Sequence, residues 1–331
     1  MQNSTLIDSF GRQVTYVRLS VTDRCDFRCI YCMAEDMTFL PRKDVLTLEE
    51  FALLGRAFAE LGVTKIRVSG GEPLIRKDVI QLFESLGAIN SINDLCLTSN
   101  GSKLTELAKP LVDAGVHRIN VSLDTLNEQR FKELTRFGDL NTVLKGIDAA
   151  LNAGFKKIKL NSVVMKNYNL QEAADLATYA LERGMDISFI EEMPLGEIHS
   201  HSRDVEFISS DELRNQLSNS FELTATNEDT GGPSRYWKAR GYNAKIGFIS
   251  PHSHNFCDTC NRVRVTASGR LLLCLGNEHS VDLRAILRAH PGEMEPIKEA
   301  LINAMAIKPE KHEFNLEEEP QILRFMNMTG G

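Results

Sequence analysis

Up to about residue 193 the apolar positions alternate between two kinds of pattern. Short runs at 16–21, 65–69, 95–98, 118–123, 158–165 and 187–193 are rich in Val, Ile and Leu and read as strands. Between them, at 48–61, 77–86, 104–114, 144–153 and 170–183, apolar residues return every three or four positions. Leu53, Leu54, Ala57, Phe58 and Leu61 show this spacing, which is that of one helix face. Gly62, Gly115, Gly154 and Gly184 sit just past these patterns, where a left-handed residue ends a helix at least cost. Alternating strands and helices predict a parallel sheet with right-handed crossovers. Six such repeats fall short of the eight that close a barrel, so the expected fold class is α/β, a partial (β/α)6 TIM-like barrel over residues 1–195. In such folds ligands collect at the C-terminal ends of the strands, and Gly71, Thr98, Ser122 and Met193 fall at those ends.

The pattern weakens after Pro194. Residues 196–204 are polar and read as a loop, and 205–275 mix a short helix, short strands and turns. Helical spacing returns at 282–289 and 293–304, broken at Pro291-Gly292, and the acidic stretch 317–319 is expected to be solvated. Residues 196–331 are therefore expected to form a C-terminal α+β extension.

Composition narrows the class. Hydrophobic residues make up 42% and charged residues 25%, as in ordinary globular proteins. No apolar run approaches the roughly 20 residues that span a bilayer, and residues 1–12 lack a signal-peptide core. The expectation is a cytoplasmic protein with no membrane partner. The formal net charge of -7 argues against a nucleic-acid partner, which needs a basic face, yet leaves room for a small anion in a locally basic pocket. Six of the seven cysteines fall in two tight groups, and in a reducing compartment clustered cysteines serve metals more often than disulfides.

The first group is Cys25, Cys29 and Cys32, spaced CxxxCxxC. Three thiolates on one loop can ligate three irons of a [4Fe–4S] cluster and leave the fourth open to another ligand. A zinc site is the alternative, but zinc sets usually carry four protein ligands, and no fourth Cys lies nearby. CxxxCxxC with Tyr31 before the last Cys resembles the radical S-adenosylmethionine superfamily. Ser69-Gly70-Gly71-Glu72-Pro73, directly after a strand, resembles that superfamily's Gly-Gly-Glu motif. The resemblance implies S-adenosylmethionine chelated to the open iron and cleaved reductively to a 5′-deoxyadenosyl radical. It further implies that Gly71 lies in the motif holding the methionyl amino group, that Tyr31 contacts adenine, and that Ser122 and Met193 line the cofactor pocket. Taken alone, Ser122 and Met193 would read as packing residues at strand ends.

The second group is Cys257 and Cys260, spaced CxxC, followed after thirteen residues by Cys274. Spacing leaves two readings open: a second site-differentiated cluster, or zinc completed by His252 or His254. The run CxxCNRxRxT…GxLxxCL resembles the C-terminal signature of the GTP 3′,8-cyclase family. The likeness extends over the whole chain, from residues 8–12 to Gly330-Gly331. It implies a second [4Fe–4S] cluster that binds the guanine edge of GTP. It assigns GTP contacts to Arg18, Arg67, Thr98, Lys159, Arg262, the Val263 backbone and Arg264, and catalytic roles to Arg262, Arg264, Gly330 and Gly331. The implied reaction removes H3′ from GTP and joins C3′ to guanine C8. A flavodoxin or ferredoxin as electron donor and a homodimer are family-level expectations.

The residues themselves permit blander readings. Arg262 and Arg264 alternate on a strand-like run and so share a face, while Lys159 in Lys156-Lys157-Ile158-Lys159 reads by default as surface. Cys96 reads as a buried structural thiol, and His199 and His201 as loop residues. One rival enzyme is a peptide- or cofactor-modifying radical enzyme with an auxiliary cluster, but Arg262-Val263-Arg264 suits an anionic nucleotide better than a peptide. Another rival is a zinc-stabilised nucleic-acid-binding module, which the net charge and the Gly-Gly-Glu motif oppose.

Overall fold

The computed structural model describes residues 5–316 and 322–330. Six strands follow in chain order: β1 (Tyr16–Ser20), β2 (Lys65–Ser69), β3 (Asp94–Ser99), β4 (Arg118–Ser122), β5 (Lys157–Val164) and β6 (Asp186–Glu191). Each pairs in parallel with the next. Helices α1 (Leu48–Glu60), α2 (Val79–Gly87), α3 (Leu104–Asp113), α4 (Glu128–Thr135), α5 (Leu140–Ala153) and α6 (Ala173–Glu182) make the crossovers. The helix starts are chemically marked. Thr47 and Glu50 form a capping box at α1, with Thr47 Oγ1 accepting the Glu50 N–H at 3.1 Å and Glu50 Oε2 accepting the Thr47 N–H at 2.7 Å.

The crossover from β4 to β5 holds two helices where the apolar spacing predicts one. Asn127 and Asp139 each cap a start, accepting from the Arg130 N–H at 2.9 Å and the Thr142 N–H at 2.6 Å. Arg136, at φ 62°, breaks the chain between them. Helix α4 escapes the periodicity because only its Phe131, Leu134 and Thr135 are buried.

The sheet continues past residue 195 at both edges. After α7 (Arg203–Glu206) and α8 (Ser210–Leu217) come β7 (Leu223–Thr226), β8 (Arg235–Ala239), β9 (Lys245–Ile249), β10 (Arg262–Val265), β11 (Arg270–Leu272) and β12 (Ser280–Asp282). Strand β9 lies parallel to β6, and β10 lies parallel to β1. One 12-stranded sheet results, in the order β12-β11-β10-β1-β2-β3-β4-β5-β6-β9-β8-β7. The sequence pattern misses this because no helix regularly separates these strands, and four of the six are only three or four residues long. Helices α9 (Leu283–Ala289) and α10 (Glu295–Ala304) follow, and α10 packs on α1, with Lys298 Nζ 2.9 Å from Glu60 Oε2. The last helix is α11 (Met326–Thr329).

The core lies between the strands and the helices. Val17, Leu19, Ile66, Val68, Ile119, Val121 and Leu160 are fully buried there, each such burial contributing about 1.5–3 kcal/mol. The alternate positions are polar and share the other face. Arg18 is in register with Arg67 and Cys96, and Thr98 with Asn120 and Lys159. A closed (β/α)8 barrel ordinarily fills this interior with branched aliphatic side chains. Here it is polar and cationic. Lys159, whose local sequence reads as surface, is only 9% exposed for this reason.

Candidate functional site

A cavity of about 260 Å3 opens at the C-terminal ends of the strands, and all six clustered cysteines line it. The first triplet sits on the loop after β1. Backbone contact between two loops holds it there: the Gly71 N–H donates to the Thr22 carbonyl at 2.7 Å, and the Glu72 N–H to the Arg24 carbonyl at 2.8 Å. A Cβ at Gly70 would lie 2.6 Å from the Thr22 carbonyl oxygen, and one at Gly71 would lie 2.3 Å from that of Arg24. The two glycines therefore let the β2 loop press on the cysteine loop. Glu72 is fully buried and accepts from the Leu74 N–H at 2.9 Å, the Asn100 N–H at 2.6 Å and Ser99 Oγ at 3.0 Å. Burial pushes its carboxyl up to about 8 against those hydrogen bonds. Asp26 accepts from Asn100 Nδ2 at 2.7 Å and Ser102 Oγ at 2.6 Å, tying the cysteine loop to the β3 loop as well.

Burial raises the thiols of Cys25, Cys29 and Cys32, that of Cys32 to about 12. Thiolates at this site therefore form together with a bound cation. Tyr31 lines the cavity, and its hydroxyl donates to Asp124 Oδ2 at 2.7 Å, while Asp124 Oδ1 accepts from the Val163 N–H at 2.8 Å. Sequence reasoning misses Asp124, whose only signal is its place two residues beyond the strand-end Ser122. Gly71, Thr98, Ser122 and Met193 all line the same cavity. Ser69 Oγ, at its wall, is buried and has no hydrogen-bond partner among the described residues. Such an orphaned polar atom suits a bound polar ligand.

Cys257 and Cys260 lie between β9 and β10, and the antiparallel turn from β10 to β11 brings Cys274 back beside them. The two histidines that could complete a zinc site point elsewhere. His252 Nε2 is 2.9 Å from the Glu192 carbonyl, and His254 Nε2 is 2.7 Å from Asp211 Oδ2. Burial raises Cys257 and Cys274. At Cys260 the effect of burial is outweighed by Arg262 and then Lys308, so this thiol is lowered.

Between the triplets stand Arg18, Arg262 and Arg264. Among the described residues none of them is paired with a carboxylate. Burial, followed by the charge of Arg18, pushes Arg264 well below its ordinary range. Arg18 Nη1 and Arg264 Nη1 both donate to the Gly330 carbonyl, at 2.8 and 2.6 Å. The chain end is docked there by two further bonds, from the Met326 N–H to the Cys32 carbonyl at 3.2 Å and from Asn327 Nδ2 to the Asp23 carbonyl at 2.8 Å. Gly330 has φ +77°, and a Cβ on it would lie 2.2 Å from Ser69 Oγ. Gly331 and the acidic residues 317–319 lie outside the described residues.

Val263 lines the cavity, but Arg67 and Lys159 lie behind its wall, inside the barrel. Arg67 Nε donates to Tyr16 Oη at 2.9 Å, and Nη1 donates to the Leu97 carbonyl at 2.9 Å and Thr98 Oγ1 at 3.1 Å. Lys159 Nζ donates to Tyr236 Oη at 3.3 Å. Burial would raise the Tyr16 phenol, but Arg67, Arg18 and Lys65 outweigh it and hold it at about 7. Lys65, like Asp124, belongs to no local motif. Its Nζ stands 3.0 Å from Asp94 Oδ2 and donates to the Thr230 carbonyl at 2.7 Å. The available signal was strand parity, since Tyr16 and Lys65 are in register with each other and two residues before Arg18 and Arg67.

Comparison with known proteins agrees with this geometry. Residues 19–180 match the Radical SAM superfamily model, and residues 185–314 match the model for Molybdenum Cofactor Synthesis C. The chain is 99% identical over 331 residues to a GTP 3′,8-cyclase of Saccharophagus degradans, covering 100% of both chains. It is 58% identical to a GTP 3′,8-cyclase of Pseudomonas fluorescens, again covering 100% of both. Among solved structures, Streptococcus suis SuiB bound to S-adenosylmethionine superposes with a TM-score of 0.60 at 14% identity, over 96% of this chain and 78% of that one. At that identity the likeness concerns the fold alone. The superfamily implies S-adenosylmethionine and a [4Fe–4S] cluster, and the donor set at Cys25, Cys29 and Cys32 fits both. The chain belongs to the GTP 3′,8-cyclase family, within the radical S-adenosylmethionine superfamily.

Proposed function

We propose that the chain converts GTP to (8S)-3′,8-cyclo-7,8-dihydroguanosine 5′-triphosphate, the first step of molybdenum cofactor synthesis. One observation carries the reading: two three-thiol sites face a single cavity, and three arginines without carboxylate partners among the described residues stand between them. A triphosphate carries about four negative charges and suits guanidinium forks. The first triplet holds a [4Fe–4S] cluster that, with S-adenosylmethionine, supplies a 5′-deoxyadenosyl radical. Tyr31, Gly71, Ser122 and Met193 hold the cofactor, and Asp124 fixes the Tyr31 hydroxyl. Cys257, Cys260 and Cys274 hold a second [4Fe–4S] cluster that takes the guanine edge.

Arg18, Arg262, Arg264, Thr98 and the Val263 backbone bind GTP at the cavity wall. Arg67 acts through Thr98, and Lys159 adds positive charge from the barrel interior. Arg262 and Arg264 stabilise charge as the ring closes. Gly330 and Gly331 take part in catalysis, and the Gly330 carbonyl sits on Arg18 and Arg264. In this reading residues 1–195 form the radical S-adenosylmethionine partial barrel, and residues 196–331 add the second cluster and further GTP contacts. A flavodoxin or ferredoxin provides electrons, the enzyme is a homodimer, and it works in the cytoplasm. Among the described residues no helix is long and apolar enough to cross a membrane.

The test is anaerobic incubation with reductant, S-adenosylmethionine and either GTP, ATP or no nucleotide. GTP alone should raise 5′-deoxyadenosine and give the cyclised product. Equal 5′-deoxyadenosine in all three samples contradicts GTP as substrate. Elemental analysis should find about eight iron and about eight sulfide per chain, and zinc without sulfide contradicts both cluster assignments.

A further inference from the structure

The second cysteine triplet is gripped by residues remote from it in sequence. Asp8 Oδ1 accepts from the Phe10 and Arg12 N–H groups at 3.0 and 2.9 Å, and Oδ2 accepts from Arg12 Nε at 2.7 Å. Arg12 then spreads its remaining donors over three carbonyls. Nη1 reaches Cys257 at 2.8 Å and Glu310 at 2.6 Å, and Nη2 reaches Pro309 at 2.6 Å. One guanidinium thus joins the loop that carries Cys257 to the segment that follows Lys308.

Lys308 is 3% exposed, and its ammonium stands 3.7 Å from Asp8 Oδ2. Through Asp8 and Arg12 it is linked to the Cys257 carbonyl by three successive contacts. The charges in this unit do not cancel. Arg12 and Lys308 share the single carboxylate of Asp8, so these three groups carry one net positive charge, while Asp258 and Arg262, flanking the triplet in sequence, add one charge of each sign. A buried, uncompensated charge is costly and calls for an anion. A cubane core held by three thiolates supplies one, with a net charge of about −1 when oxidised and about −2 when reduced.

We propose that Lys308, held in place by Asp8 and Arg12, compensates the charge of the iron–sulfur cluster at Cys257, Cys260 and Cys274 and raises its reduction potential. The inference rests on reading that triplet as a cluster site. Lys308 is a positioning and charge-compensating residue, with no contact to the reacting atoms. Nearby positive charge favours the reduced cluster, so its removal lowers the potential, and removal of its counter-charge raises it.

The test uses the full chain, reconstituted anaerobically, with iron, sulfide and zinc measured first. Cys25→Ala/Cys29→Ala/Cys32→Ala then leaves the second cluster as sole reporter in a redox titration followed by electron paramagnetic resonance. Added to that background, Lys308→Met should shift the potential downward and speed loss of iron to a chelator about tenfold. Lys308→Arg should keep both near the parent values, and Asp8→Asn should shift the potential upward. The opposite signs separate a charge effect from loosened packing, and Asp8→Asn keeps the test open if Lys308→Met does not fold. A parent chain with about eight iron, whose second cluster keeps its potential in whichever of the two charge variants folds, overturns this inference alone. Zinc, or only about four iron, in that chain overturns the cluster reading and this inference with it.

Discussion

Tyr16 sits among three buried or half-buried cations, Arg67, Arg18 and Lys65. Arg67 donates to its hydroxyl at 2.9 Å, and Arg18 and Lys65 add to the positive field that holds the phenol at about 7. A tyrosine ordinarily titrates near 10. In the metal-free chain, ultraviolet difference spectra should therefore show a phenolate step near pH 7 that Tyr16→Phe abolishes. The sign for stability follows from linkage. A depressed acid contributes stability that is fully present above its unfolded value of about 10 and is lost as pH falls through about 7. Wild type should gain melting temperature over Tyr16→Phe across that window. An unchanged spectrum between pH 6 and 8 would show that the cations do not act on Tyr16 as described. The six clustered cysteines, Tyr31 and the arginine run, all of which line the cavity, were legible in the sequence because each belongs to a short local motif. Tyr16, Lys65 and Asp124 were not, because their roles depend on strand register or on pairs as far apart as Tyr31 and Asp124.

At the scale of elements, the parallel strands β1 to β6 were legible from apolar runs and glycine stops, while the pairing of β9 and β10 onto the two edges was hidden because no regular crossover helix joins them to the core. The chain end is the element whose chemistry is most exposed to test. Gly330 needs a left-handed backbone, and its missing Cβ leaves room for Ser69 Oγ at what would be 2.2 Å. A non-glycine residue in that conformation costs about 1–2 kcal/mol before any clash. Gly330→Ala should therefore displace the carbonyl from Arg18 and Arg264. Cyclisation should fall at least tenfold, the ratio that about 1.4 kcal/mol corresponds to, while iron content and melting temperature stay near wild type. Adding Ser69→Ala should recover part of the lost rate by opening the space. Full cyclisation by Gly330→Ala would mean that the docked end is a structural tether with no part in turnover.

The whole molecule is organised by one sheet that both parts of the chain build. Because β10 pairs with β1, Arg262 is in register with Tyr16 and Arg264 with Arg18. Because β9 pairs with β6, the other edge of the six-stranded core is also extended by late sequence. The two cysteine triplets therefore face each other across a cavity whose cations come from both ends of the chain. In the proposed reaction one cavity would hold both the radical source and the arginines that bind the nucleotide. GTP carrying deuterium at C3′ tests this most directly. After anaerobic turnover with reductant and S-adenosylmethionine, mass spectrometry of 5′-deoxyadenosine should show one added deuterium, matched by formation of the cyclised nucleotide. Unlabelled 5′-deoxyadenosine alongside full product formation would contradict hydrogen abstraction from C3′ in this cavity.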